Sequence, residues 1–492
     1  MIVKQQIIKM LSNSRRQFIK TSILSGLGSA PFIANTKSSA KVIGANNRMR
    51  IAVAGLNGRG KSHIGGFLSQ KNVEIPYVID PDKQVLSRTV ESLKGRGQQV
   101  KGVVDVREAL DDKNVDAIAI AAPNHWHSLM TIWAAQAGKH VYVEKPMSHD
   151  VVEGRVAVAA QKKYGVVIQH GTQQRSDARR AGLHDQIKAG KWGRLKISYG
   201  YCCKPRGSIG HKKVGEAPSH LDWNLWKGPA VIEKFHGNYV HYNWHWFWAT
   251  GNGDLNNQGT HELDVARWAI DDDQTHPVKA MAIGGRFQWK DQGETPNTLF
   301  GMAEYPNGQQ VFFNVRNVNY NGYKRQVENQ YYFEDGGRII GNQYFAKGSD
   351  KGEKIDFGQG KVTPGGNWGS FVAACRAGDP SMANGDVNDA HYGCVLGHLM
   401  NNSYRLGEEV PFNLKAGKFG DNKDAAEHFG KLHDIMGNGV GIPEQDNYYT
   451  VGPWLNFDPK KETHTGEFAK DANQLLKDPN NVGFQVPALE KV

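Results

Sequence analysis

The chain of 492 residues is poor in several things, and each shortage removes a class of protein. It has four cysteines, two adjacent (Cys202, Cys203) and two far apart (Cys375, Cys394). That pattern fits neither a disulfide framework nor the paired spacing of a zinc centre, so buried free thiols are expected. No stretch reaches the roughly 18 apolar residues that a membrane-spanning helix needs. Basic residues form no block that could follow a nucleic-acid backbone, so no nucleic-acid partner is expected. There is no internal repeat and no low-complexity segment.

Acidic residues are missing from the first forty positions, which hold six basic ones (Lys4, Lys9, Arg15, Arg16, Lys20, Lys37). Taking those six from the formal net charge of +11 leaves +5 for the remainder. Residues 14–20 read SRRQFIK, a twin-arginine pattern, followed by a weakly apolar run over 21–34 and a small-residue site at Ser38-Ser39-Ala40. This predicts a Tat export signal over residues 1–40, cleaved near Ala40, and a periplasmic protein with no membrane attachment after cleavage.

What is present begins at residues 49–55, MRIAVAG, which read as a buried strand leading into Leu56-Asn57-Gly58-Arg59-Gly60 and then a helix. On the dinucleotide pattern GxGxxG, Gly55 is the first glycine and Gly60 the third, while Asn57 holds the second place with Gly58 beside it. The next strand, 73–80, ends in Asp80, where a carboxylate accepts hydrogen bonds from adenosine ribose hydroxyls and repels a 2′-phosphate. Asp80 therefore favours NAD over NADP, although Arg59 could serve a phosphate. Strands at 101–106, 117–121, 140–143 and 166–170 alternate with helical stretches, which predicts a parallel sheet with right-handed crossovers. This is a Rossmann domain over residues 41–171. Pro123, Asn124, His127 and Glu144, near strand ends on the ligand-binding rim, complete the expected cofactor set.

The second half has another texture, with strands at 194–201, 278–283, 299–305, 310–315 and 330–333 and few regular helices between them. The fold class expected is α/β: the Rossmann domain, then an α+β domain (172–412) built on a large, mostly antiparallel sheet with one face covered. Residues 413–492 form an extension, with a helix near 424–436, that wraps the surface or meets a partner subunit. An irregular insertion between the first two strands carries Trp223, Trp226, Trp244, Trp246, Trp248 and Trp268, with His236, His241 and His245.

Three segments could carry chemistry. Lys145, in Glu144-Lys145-Pro146 at a strand's carboxyl end, lies where open sheets bind ligands, and a partly shielded lysine has its pKa lowered toward base catalysis. Residues 251–268, GNGDLNNQGTHELDVARW, run from a glycine-rich loop into an amphipathic helix. His261 sits near the helix start, able to titrate in a useful range, with Asp264 about one turn on; a capping role for the histidine is the alternative. Residues 235–248, FHGNYVHYNWHWFW, offer Tyr239, His241 and Trp246 as faces and edges for a sugar ring, or else a core cluster. Arg175, just past the last Rossmann strand, could meet a substrate or be a solvated linker arginine. The pairs His125/His127 and His241/His245 lack an acid or cysteine to complete them, so no metal is expected.

The fingerprint near Gly55, Glu144-Lys145-Pro146 and GTHELDVARW over 259–268 together resemble the Gfo/Idh/MocA oxidoreductases, whose pattern GxHxxDxxRW the last run matches. The resemblance implies a bound nicotinamide cofactor, a proton pathway through Lys145 and His261, a carbohydrate or polyol substrate, and a homo-oligomer formed through an open sheet face. One departure stands out: many members carry an aspartate four residues before the histidine, where this chain has Asn257. The function expected is that of an NAD-dependent oxidoreductase acting on a sugar, polyol or glycoside, with tightly bound, internally recycled cofactor. The alternatives are an NAD-dependent glycosidase working by transient oxidation and elimination, and a non-catalytic sugar-binding protein.

Overall fold

The computed structural model describes residues 48–318 and 326–492; the export signal expected over residues 1–40 lies outside them. The first sheet is built from β1 (Met49–Ala54), β2 (Val73–Glu74), β3 (Tyr77–Ile79), β4 (Lys101–Val103), β5 (Ala117–Ile120), β6 (His140–Val143) and β7 (Ile168–His170). Its order is β4-β3-β1-β5-β6-β7, with β2 beside β1, and the pairs are parallel. Parallel strands covered on both faces are apolar throughout, as AIAI in the fully buried β5 illustrates. The strand order reverses between β1 and β5, so the crevice at the carboxyl ends of these strands is the binding place this topology creates. Asp150 caps the helix Val151–Tyr164 through the Glu153 amide, and Gly165, at φ +62°, ends it in the left-handed conformation that glycine adopts without penalty.

The second sheet contains β8 (Leu195–Cys203), β11 (Lys279–Gly285), β12 (Thr298–Glu304), β13 (Gln310–Arg316), β14 (Gln326–Phe333), β15 (Arg338–Ile340), β16 (Gln343–Phe345), β17 (Glu353–Lys354), β18 (Glu408–Pro411), β19 (Tyr448–Val451), β20 (Leu455–Asp458) and β21 (Thr463–Thr465). The small ribbon of β9 (Val214–Gly215) and β10 (Phe235–His236) stands apart in the insertion. The large sheet is mixed: β13 runs parallel to β8, and the other pairs are antiparallel. Strict alternation sends Ala280, Ala282, Leu299, Val311, Phe313 and Val315 to one face, against helices Gly259–Trp268 and Val387–Arg405. Met281, Ile283, Phe300, Met302 and Phe312 go to the other.

That second face departs from expectation. Phe412, Phe419, Phe429, Leu432 and Met436 cover it, with the helix Lys423–Asp434 lying across it. The residues after 412 are not a surface wrapping: they supply β19, β20 and β21 to the sheet and a lid to its face. The same tail returns to the first sheet, where Phe484 and Val486 enter the core formed by Ile118, Ile120, Trp126 and Val143.

Candidate active site

A cavity of about 420 Å³ runs from the glycine turn to Lys145 and His261. At its cofactor end, Gly55 has φ +81°, and a Cβ there would lie 2.4 Å from the Ala121 carbonyl oxygen. A Cβ on Gly60 would lie 1.9 Å from the Gly55 oxygen, so both positions need glycine for close packing. Gly58 has open space before it. The helix Gly60–Leu68 starts without a side-chain cap or an acid in its first turn; its Lys61, Ser62 and His63 amides bond back to the Gly58 and Arg59 carbonyls, so an anion such as a pyrophosphate would be met by the turn before the helix and by the positive end of its dipole. Asn57, Gly58 and Arg59 are exposed along this edge. Asp80 accepts from the Leu56 amide at 2.9 Å and the Asp82 amide at 2.9 Å, and burial raises its pKa. It ties the glycine turn to the next loop and, with Asp105, gives this end a carboxylate lining suited to ribose and hostile to a 2′-phosphate. The residues present fit NAD.

The far wall of this end belongs to the insertion. His241 Nε2 lies 3.0 Å from Asp82, which caps the helix Lys83–Lys94, and backbone hydrogen bonds join Lys83 to His220 and Asp222 to Pro81. Pro123 and Asn124 begin the helix Asn124–Gln136, Asn124 being bonded to Asn252 at 3.2 Å. The His127 ring spans the Ala122 and Pro146 carbonyls at 2.7 and 2.6 Å, fixing the loop that carries Lys145.

Glu144 and Lys145 follow β6 directly. The Glu144 carboxylate accepts from Arg59 Nε at 2.8 Å and lies 3.2 Å from His63 Nε2. Burial works against its charge, yet His63, Arg59 and Lys145 hold its pKa well below the usual range. Arg59, which could have served a phosphate, thus spends one donor on Glu144. Lys145 Nζ donates to the Asn257 carbonyl at 2.8 Å and to Asn257 Oδ1 at 3.0 Å. Burial lowers its pKa, against the opposing pull of Glu144 and Asp254. His261 lines the cavity as expected, but burial and then Lys145 push its pKa down to about 3. It is a neutral ring at physiological pH, able to donate or accept a hydrogen bond, rather than a group that titrates near neutrality.

Four expected site residues lie elsewhere. Asp264 and Arg175 form a buried two-point pair at 2.9 and 3.0 Å, Arg175 also reaching Asp389 at 2.8 Å and stacking on Trp268 at 4.6 Å. A buried guanidinium needs such partners, so this group braces the helix Gly259–Trp268 against its neighbours and faces no ligand. Tyr239 and Trp246 are also turned away. Tyr239 packs among Trp223, Trp226, His236 and Phe247, and Trp246 lies under Arg206 at 5.6 Å. The aromatic insertion is thus both things at once, a core cluster whose other side presents Tyr242, Trp244 and His245 to the cavity beside His241. Sequence reasoning also missed Asp254 and Arg206. Asp254 stood within the quoted run, three residues before Asn257, but nothing local marks Arg206 as its partner. Among the described residues, His276, His391 and Glu462 come together at metal-ligand distances, but Arg155 donates to both Glu462 oxygens and takes the cation's place.

Residues 49–172 match the model of the GFO_IDH_MocA oxidoreductase family's NAD-binding Rossmann fold, and residues 207–431 match that of its C-terminal alpha/beta domain. The scyllo-inositol 2-dehydrogenase (NAD(+)) of Bacillus subtilis (strain 168) is 33% identical over 156 residues, 30% of this chain and 42% of that protein. Glycosyl hydrolase family 109 protein 1 of Shewanella sp. (strain MR-4) is 28% identical over 159 residues, 28% of this chain and 35% of that protein. The match spans less than half the length of either relative. The WlbA dehydrogenase from Bordetella pertussis, solved with NADH and UDP-GlcNAcA, shares the fold with a TM-score of 0.52 at 18% identity, over 73% of this chain and 96% of that one.

Proposed function

This chain belongs to the Gfo/Idh/MocA oxidoreductases, and from that premise we propose that it acts on a hydroxyl or ketone of a carbohydrate or polyol, with Lys145 handling the proton. The carrying observation is Lys145 Nζ, fixed by two bonds to Asn257 at the cavity wall and with its pKa lowered by burial. When bound, NAD accepts or returns the hydride. Gly55, Gly60 and Asp80 hold it, Lys145 takes or gives the hydroxyl proton, and neutral His261 orients the same oxygen. Tyr242 and Trp244 supply flat faces for the sugar ring at the cavity wall. We also propose that the twin-arginine segment exports the folded protein to the periplasm with NAD already seated and recycled on the enzyme. The interlock of the insertion with the Asp80–Lys83 loop supports such retention. Mass spectrometry of the natively exported protein should find bound NAD, and a screen of sugars should find one that reduces it. Protein free of nucleotide and without tight NAD binding overturns the reading.

A second reading is supported by the similarity to the glycosyl hydrolase family 109 protein: transient oxidation of a glycoside, elimination of the aglycone, and return of the hydride to the same sugar. Release of free sugar from aryl glycosides with no net change in nicotinamide absorbance would favour it over net redox turnover.

A further inference from the structure

The carboxylate nearest in kind to the missing partner of Lys145 does not touch it. Asp254 is fully buried, and both its oxygens are clamped by Arg206, from Nε to Oδ2 and from Nη2 to Oδ1, each at 2.9 Å. Asn317 adds a bond to Oδ2 at 2.7 Å. Asn257 Nδ2 donates to Oδ1 at 2.9 Å. An ionised carboxylate only accepts, so the Asn257 side chain can face it only with its NH₂ group. The amide oxygen is thereby turned to Lys145, beside the carbonyl oxygen of the same residue. A neutral amine has two N–H bonds and one lone pair. With both N–H groups donated to Asn257, the lone pair is the feature left for the cavity.

We propose that Asp254, acting through Asn257, is a positioning residue that fixes Lys145 as a base with its lone pair toward the substrate. The arrangement keeps a negative charge at one remove. An aspartate at 257 would sit directly on the ammonium and hold it protonated, whereas an asparagine oriented by a carboxylate behind it gives the same two-point grip and leaves the amine free to lose its proton. In the oxidative direction the hydroxyl O–H bond breaks, its proton forms the third N–H bond of Lys145, and the carbon-bound hydrogen leaves as hydride to NAD. Reduction is the reverse. The proposal rests on the reading of Lys145 as the proton-transfer group.

Its test needs no substrate. The full chain is labelled with trace acetic anhydride between pH 6 and 11, and acetylation of the Lys145 peptide is followed by mass spectrometry, which gives the lysine's titration curve. Asn257→Asp should raise the Lys145 midpoint by about 1–3 pH units, the range for a directly apposed opposite charge. Asp254→Asn should lower it, because it removes a charge that favours the ammonium and releases the orientation of Asn257. If Asp254→Asn does not fold, Asn257→Leu, which cuts the same link while leaving the Asp254–Arg206 pair intact, should lower the midpoint too. Folded variants whose Lys145 curve coincides with that of the natural chain overturn the proposal. A sugar screen that finds no turnover while these midpoints move sinks the oxidoreductase substrate reading alone, and turnover with unmoved midpoints sinks the positioning role alone.

Discussion

Two arginine–aspartate pairs with buried carboxylates, 175 with 264 and 206 with 254, look alike in geometry and do opposite work. Each is a two-point grip with donor–acceptor distances near 2.9 Å. Arg175 turns its remaining donor to a second carboxylate, Asp389, and its charge is consumed within the fold. In the other pair it is the carboxylate that reaches onward, to Asn257 and through it to Lys145. The difference teaches that a motif acid is not a site acid until its partner is known: Asp264 matches the family pattern and braces a helix, while Asp254 lies outside that pattern and reaches Lys145 through one amide.

The comparison can be broken at three levels. The largest effect is expected from Lys145→Ala, which removes the end point of one pair and nothing from the other. Sugar-dependent reduction of bound NAD should fall about 10²–10⁴-fold, the range for a positioned acid–base group, with thermal stability and NAD content retained. Next comes Asp264→Asn, which leaves Arg175 short of a partner. It should cost roughly 3 kcal/mol in chemical denaturation while the Lys145 titration stays where it was. An equal shift of that titration in Asp264→Asn and Asp254→Asn would erase the distinction between the pairs.

The smallest effect per step comes from acid. Burial holds His125, His170, His245 and His398 at pKa values of about 3. Each is neutral in the fold and charges only on unfolding. Below the unfolded value near 6.5 the unfolded state binds the extra protons, so stability falls as pH drops toward 3, by at most about 1.4 kcal/mol per unit for each ring. These four rings should pull the melting temperature down between pH 6.5 and 5, partly offset by Asp150 and Glu262, whose burial-raised pKa values of about 7 and about 8 make the fold hold protons that the unfolded chain lacks. Replacing His245 with Gln should soften the decline beside Lys145 without touching the Arg175 brace.

Much of the first domain was legible because its signals are local. The strand His140–Val143 falls where the pattern put it and a helix, Val151–Tyr164, follows it as the alternation requires, since β-branched residues, an aspartate cap and a closing glycine lie within one short segment. The glycine turn and Asp80 were legible for the same reason. What escaped depends on distant partners. Arg206 and Asn317 reach Asp254 from 48 and 63 residues away, and no periodicity carries that pairing. The aromatic insertion alternates between core and cavity within residues 239–246, and a composition of tryptophan, tyrosine and histidine suits either environment. The strands of the tail are short and polar on one side, which is how a sheet's edge reads and also how a loop reads.

The return of the tail to the first sheet bears on the order in which the molecule can be finished. The Rossmann half leaves the ribosome early with its glycine turn and strands in hand, but Trp126 waits for Phe484, which meets it edge to face with ring centres 5.5 Å apart. That core closes only once residues 484–486 have been made, so a chain cut short of them keeps an uncovered apolar surface beside Trp126.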